Sequence, residues 1–329
     1  MSGLRHLVVG PHEHGVTRLA LALARGADVV RVPTAVGPDD LGSLRAQVAG
    51  GRTHAHVTDR LFGRSPEQAQ AVLTSLAEVT ALSVTLHDLP QPSDGPQSMP
   101  RRAACYACVA RASRRVVVSS EHERALLADC LGPGAAPPDI AVVPLPIDAE
   151  PMAPSARPGP ADPPDVALLG FVYPGKGHLE VLEALGAIRP DVGVLVLGRA
   201  SEGHEDLLDE LAGRARELGR RWCVTGYLPD AELVQRLRAV AVPVAAHRHL
   251  SASGSIGSWL AAGRRPLVPR SRYVDELAQR LPGALTVYDD LPAALRRAVA
   301  DPSSTWLAPG TPLGPSTADV ARRYAEVLV

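Results

Sequence analysis

The stretch DVALLGFVYPGKG, residues 165–177, decides the reading of the fold. Asp165 to Leu169 form a short apolar run of strand length, and Gly170 ends it. From about Lys176 to Ile188 apolar residues return at helical spacing. A buried strand that turns through glycines directly into a helix is half of a βαβ unit. Backbone N–H groups at such a turn can hold an anion, and glycine lets the chain approach it closely. Lys176, the only lysine in the chain, adds positive charge there. The spacing G-x-x-x-x-G-K is that of a P-loop, but Gly177 stands where Ser or Thr would hold Mg²⁺.

The same rhythm continues on both sides. Toward the N-terminus, strands are expected at 7–10, 27–32, 54–57, 81–86, 115–120 and 140–146. Helices are expected near 16–24, 66–76, 102–112 and 121–130. After residue 165, strands are expected at 165–170, 192–198, 222–227, 239–244 and 265–269, with helices at 176–188, 203–219, from 229 and at 254–262. The tail TADVARRYAEVLV reads as an amphipathic helix. Short β-rich runs alternating with helices predict parallel sheets covered on both faces. Between Pro151 and Pro164 proline and glycine dominate, which predicts a linker. The expected division is 1–155, 156–315, and a terminal helix 316–329 that crosses back to the first domain.

Composition narrows the function. Lys plus Arg total 34 against 35 Asp plus Glu, and 46% of residues are hydrophobic. That balance argues against a strongly basic nucleic-acid binder and against a disordered chain. Four cysteines make no disulfide framework and suit a reducing compartment. Cys105 and Cys108, a lone C-x-x-C, read as helix cysteines. The start is too quickly strand-like for a signal peptide and no run reaches membrane-spanning length. A cytoplasmic protein is expected, with room for peripheral membrane contact and with oligomeric state open.

A second anion candidate is SASGSIGSWLAAG, residues 251–263. Ser253, Gly254 and Ser255 open a helix just past a strand and offer N–H and hydroxyl groups. Both loops follow strands of one domain, so both are expected on the same sheet edge. Arg199, beside Gly198, is within reach of a phosphate or a base on this reading. In the first half, His12, Glu13, His14 and Gly15 follow the first strand. His54, His56, Asp59 and Arg60 end the third, and His87 ends the fourth. These are candidates for sugar or acceptor contacts, while His56 reads equally as a core residue. No spacing among the histidines forces a metal site.

Together these pieces resemble the retaining glycosyltransferases of family 4, which have the GT-B fold. The resemblance is carried by GFVYPGKG, VTGYLPDAELVQRL and SASGSIGSWLAAGRRPLV in the second half. In the first half GPHEHGV, TLHDLP, VVSSEHERALL and VVPLPID fall in the family's order. The resemblance implies two Rossmann-like, doubly wound parallel-sheet domains facing a cleft, with closure excluding water. It implies metal-independent transfer of a sugar from a UDP- or GDP-sugar, with no cofactor beyond that donor, to a hydroxyl acceptor. Lys176 matches the family's diphosphate lysine, and Gly175, Gly177, Ser253, Gly254 and Ser255 fall in the donor loops. His87 matches the histidine that faces the donor sugar.

The chain departs from the family at the glutamate pair spaced E-x7-E, where Leu250 and Ser258 stand instead. Ser258 is left as a weaker ribose contact, His249 of the H-R-H stretch 247–249 as a sugar contact, and Glu276 as a substitute carboxylate. The rival readings are another nucleotide-sugar enzyme and a catalytically weak sugar- or nucleotide-binding protein of the same fold.

Overall fold

The computed structural model describes residues 3–133, 138–149, 157–159, 164–247 and 249–328. Most of the expected 151–164 linker and Arg248 lie outside the described residues. The chain divides into two compact units, Met1–Pro146 with Pro315–Val329, and Ile147–Gly314.

The first unit is a six-stranded parallel sheet built from β1 (Leu4–Val9), β2 (Asp28–Val32), β3 (Arg52–Val57), β4 (Ala81–Leu86), β5 (Arg115–Val118) and β6 (Ile140–Val142). Helices α1 (Gly15–Leu23), α2 (Leu41–Val48), α3 (Asp59–Phe62), α4 (Pro66–Ala77), α5 (Gly95–Ala112) and α6 (Glu121–Leu131) connect the strands. The strand order is β2-β1-β3-β4-β5-β6, so the winding reverses between β1 and β3. Both faces are covered, which is why Leu82, Val84 and Leu86, on one face of β4, and Ser83 and Thr85, on the other, are all buried.

Three helices of this unit differ from expectation, and one of them, α3, is a single turn, too short to show a helical period. The sequence gives no reading of α2, whose apolar stripe is only Leu44 and Val48. Helix α5 begins at Gly95 rather than 102, because Pro96 occupies its first turn and Pro100 is tolerated early in it. Cys105 and Cys108 lie on α5 as free thiols.

The second unit holds β7 (Asp165–Leu169), β8 (Gly193–Leu197), β9 (Trp222–Val224), β10 (Val242–Val244), β11 (Leu267–Pro269) and β12 (Thr286–Tyr288). Its helices are α7 (His178–Ala184), α8 (Asp206–Glu217), α9 (Asp230–Ala239), α10 (Gly254–Ala261), α11 (Arg272–Arg280) and α12 (Leu291–Ala300). The order β12-β11-β10-β7-β8-β9 reverses between β7 and β10. Strand β12 and helices α11 and α12 are absent from the sequence reading. Three residues at a sheet edge are too few to show a period of two.

The tail helix α13 (Thr317–Val327) packs in the first unit through Val320, Tyr324 and Val327, beside Leu23 and Val117. Its N-cap Ser316 and Asp319 form a reciprocal capping box. The Tyr324 hydroxyl lies 2.9 Å from Thr85 Oγ1 on β4. No helix of the described residues is long and apolar enough to cross a membrane.

Candidate functional site

All strands of each sheet are parallel, so everything that follows a strand emerges on one edge. Open α/β sheets bind ligands at the carboxyl ends of strands, where the winding reverses. In the second unit that point lies between β7 and β10. The two anion candidates of the sequence follow those two strands.

The loop after β7 turns at Gly170, Gly175 and Gly177, with φ of 108°, 87° and 96°. These left-handed values favour glycine. At Gly177 a β-carbon would also lie 2.4 Å from the Ala246 carbonyl oxygen, so only glycine lets this loop rest on the segment after β10. Helix α7 therefore begins at His178 and not at Lys176.

This close approach places the Lys176 ammonium in contact with His247 Nε2, across 71 residues of sequence. The Tyr173 ring lies under the ammonium, 5.7 Å to its centre. Lys176 is buried, with 6% of its surface exposed, and among the described residues no carboxylate forms an ion pair with it. Burial alone pulls its pKa from 10.5 down to about 7. His178, on α7, is buried with neither ring nitrogen hydrogen-bonded and stands edge-on to Trp222. Its pKa falls to about 3, through burial first and Lys176 second. His247 is likewise held well below its ordinary value, by burial and then Lys176, against a smaller opposing pull from the Ala245 carbonyl. Three buried bases thus lie close together, and among the described residues no acid forms an ion pair with Lys176.

Ser253 is the N-cap of α10, its hydroxyl accepting from the Ile256 N–H and lying 3.0 Å from Ser255 Oγ. Gly254 is exposed at the first turn. Ser258 donates to the Gly254 carbonyl, 3.1 Å away, so its hydroxyl is spent on its own helix. Leu250 is buried in the apolar cluster around Ile256, Leu260 and Val268. His249 is exposed. Arg199 is exposed after β8, its guanidinium 5.7 Å from the Phe171 ring centre, and its carbonyl accepts from the Val172 N–H beside the Lys176 loop. Glu276 lies on α11.

In the first unit the corresponding edge gathers histidines. His56, at the end of β3, has Nδ1 3.1 Å from His87 Nε2, and the two rings stack. His54 is fully buried between Ser83 and Thr85, with which both ring nitrogens pair. Burial holds His54 and His56 well below their ordinary pKa and brings His87 to about 4. These rings are neutral at pH 7. His14 approaches His87 and Asp88, while His12, Glu13 and Gly15 are exposed. Space is open around Gly15, so no contact there requires a glycine. Among the described residues no group of three or more His, Cys, Asp or Glu is placed to hold a metal.

Asp59 has a different setting from an open acceptor contact. It is buried and receives Arg102 Nε at 3.1 Å and Nη2 at 3.2 Å. Arg102 also reaches Asp94 at 2.6 Å and the carbonyl and carboxylate of Asp88 at 2.6 and 2.9 Å. Asp88, with φ of 51°, is the one non-glycine residue in the left-handed region among those described. Tyr106 donates to the His87 carbonyl at 2.7 Å. Helix α5 therefore clamps the loop carrying His87. Sequence reasoning passes over Arg102, Tyr106 and Asp88, for nothing local distinguishes a buried Arg on a helix with polar neighbours. His247 lies within the quoted H-R-H stretch, but its pairing with Lys176 has no sequence signal.

Two doubly wound parallel sheets, each with polar side chains gathered at its carboxyl edge, define the GT-B class of fold. Solved structures agree along the chain's length. Anabaena HepE in complex with UDP and glucose is 15% identical, covers 100% of this chain and 99% of its own, and superposes with a TM-score of 0.75. Sucrose-phosphate synthase from Thermosynechococcus elongatus is 16% identical over 100% and 96%, with a TM-score of 0.68. The UDP-forming trehalose-phosphate synthase from Burkholderia xenovorans is 14% identical over 88% and 75%, with a TM-score of 0.65. No family model and no curated protein matches the chain.

Proposed function

We propose that this protein is a metal-independent, retaining glycosyltransferase that takes a sugar from a nucleoside-diphosphate sugar, UDP- or GDP-linked, and passes it to a hydroxyl acceptor. One observation carries the reading: Lys176 is a buried ammonium with no ion-paired carboxylate among the described residues, placed where the winding of the second sheet reverses. Burying an unpaired charge is costly, so a site that retains one is built for an anion that arrives later. In sugar transfer negative charge grows on the leaving diphosphate, and preorganised positive charge stabilises it without reorganisation. On this reading Lys176 and the Gly175–Gly177 turn hold the diphosphate, the Ser253–Ser255 turn adds donors, and Arg199 borders the nucleotide. The second unit is then the donor domain. HepE, crystallised with UDP and glucose, shares the fold and is consistent with this class of donor.

A second reading, a sugar-nucleotide binder with weak turnover, is favoured by the fates of Leu250 and Ser258. One is in the apolar core and the other is bonded to its own helix. Neither offers a carboxylate to a ribose or a sugar.

Thermal unfolding in the presence of UDP-, GDP-, ADP- and dTDP-sugars, with and without Mg²⁺, tests the donor site. At least one should raise the melting temperature without Mg²⁺, and Lys176→Ala should abolish that rise. Absence of any shift refutes the proposal. Stabilisation without nucleotide release, across a panel of acceptors, selects the second reading.

A further inference from the structure

We infer that His247 is a second basic ligand of the bound diphosphate and that binding draws one proton from solvent onto the Lys176–His247 pair. The inference deepens the donor-site reading above and rests on it.

The ammonium of Lys176 and Nε2 of His247 are in direct contact in a dry setting. Two full positive charges at that separation, with no anion between them, repel strongly where solvent does not screen them. The empty pair therefore carries one proton charge in total: an ammonium donating to a neutral imidazole, or the reverse. Nε2 of His247 faces the Lys176 ammonium and Nδ1 has no hydrogen-bond partner among the described residues, so a neutral imidazole that carries its proton on Nδ1 leaves the Nε2 lone pair directed at Lys176.

The other groups facing the pair do not alter this. Within the same loop the neighbour is the Tyr173 ring. From α7 it is His178, neutral and without a hydrogen bond at either nitrogen. No described carboxylate pairs with Lys176 from β7, β8 or β10. A diphosphate seated here brings two negative charges to a pair holding one positive charge. The imbalance favours protonation of His247 at Nε2, which turns an acceptor facing the ligand into a donor. The proton comes from solvent and no covalent bond changes.

Calorimetric titration at pH 6 tests this, in several buffers that differ in ionisation enthalpy. UDP-glucose is the first probe and the other sugar nucleotides of the panel follow. Each phosphate of such a ligand carries one ester and the shared anhydride oxygen, leaving a single strongly acidic group, so the ligand does not itself titrate near this pH. At pH 6 Lys176 is already charged, so any uptake reports the histidine. The observed enthalpy should vary linearly with buffer ionisation enthalpy, with a slope approaching one proton per ligand. His247→Gln and His247→Asn keep polarity at Nε2 or Nδ1 but cannot charge. Either should bind with a slope near zero and with affinity lower by roughly tenfold, the loss of one charged hydrogen bond.

Tight binding by the wild type with the same enthalpy in every buffer overturns the inference and leaves the donor site standing. Binding of no sugar nucleotide overturns both. The wild-type slope decides the matter even if a variant folds poorly.

Discussion

Replacing Lys176 by Met should make the empty protein more stable and leave it unable to bind a diphosphate. Lowering an ammonium from 10.5 to about 7 by burial costs roughly 4–5 kcal/mol, at about 1.4 kcal/mol per pK unit. The folded-state pKa is depressed, so between pH 7 and 10.5 the unfolded chain binds more protons and stability rises with pH. The penalty is therefore complete below pH 7 and fades as pH climbs toward 10.5. Methionine has similar length, fills the same volume and carries no charge.

At pH 6 the variant should exceed the wild type by about 4 kcal/mol, less whatever local relaxation returns. At pH 9.5 the gap should shrink to about 1–2 kcal/mol. The tryptophans, Trp222, Trp259 and Trp306, all lie in the second unit, so their fluorescence in a urea titration reports that unit alone. A sugar nucleotide should raise the wild-type midpoint and leave the variant's unchanged. A variant less stable than the wild type at pH 6, or a gap that ignores pH, would refute the account of Lys176 as an uncompensated charge.

Arg264 is buried and donates to the carbonyls of Leu237, Arg238, Val240 and Ala241 near the end of α9, and to Thr305 Oγ1 at 2.6 Å. Arg264→Met should cost more than about 3 kcal/mol in tryptophan-monitored unfolding, since several carbonyls lose their donor at once. Gly177→Ala meets the Ala246 carbonyl and a left-handed backbone together. It should lose at least about 2 kcal/mol and weaken sugar-nucleotide binding, both read from the same titration. Arg102→Met strands the Asp59 carboxylate, 7% exposed. A loss of about 3–5 kcal/mol in far-UV circular dichroism melts should be largely recovered by adding Asp59→Asn. His87, with a folded pKa near 4 against 6.5 unfolded through burial, is neutral in both states well above pH 6.5 and destabilises the fold progressively as pH falls from 6.5 toward 4, because the unfolded chain takes up the proton first. With His54 and His56 shifted the same way, the first unit should soften steeply in this window. Melts of a His56→Gln variant should show a shallower pH slope.

The strands of both units were legible where four apolar residues run together, as in β7 and β8, or where apolar residues alternate with Ser and Thr, as in β4, read at its observed bounds. Such runs are buried on both faces of a parallel sheet and need no partner to announce them. Helices with narrow apolar stripes, such as α2, and the three-residue β12 lacked that signal. Lys176 stood out for a compositional reason, being the single lysine, and the glycines around it by spacing. The Ser253–Ser255 turn was legible as an N-cap.

The sequence by itself determined that the chain alternates strands and helices in two halves, and that a glycine-rich loop with a lone lysine follows the first strand of the second half. Strand order was decided only in the tertiary structure, because parallel neighbours are chosen by helix packing and crossover geometry rather than by local periodicity. That order sets β10 beside β7 and so brings His247 onto Lys176. It likewise sets β3 between β1 and β4, which stacks His56 on His87. Whether a lysine is a solvated side chain or a buried charge awaiting an anion depends on what surrounds it in space, and that is fixed by contacts made across 71 residues of chain.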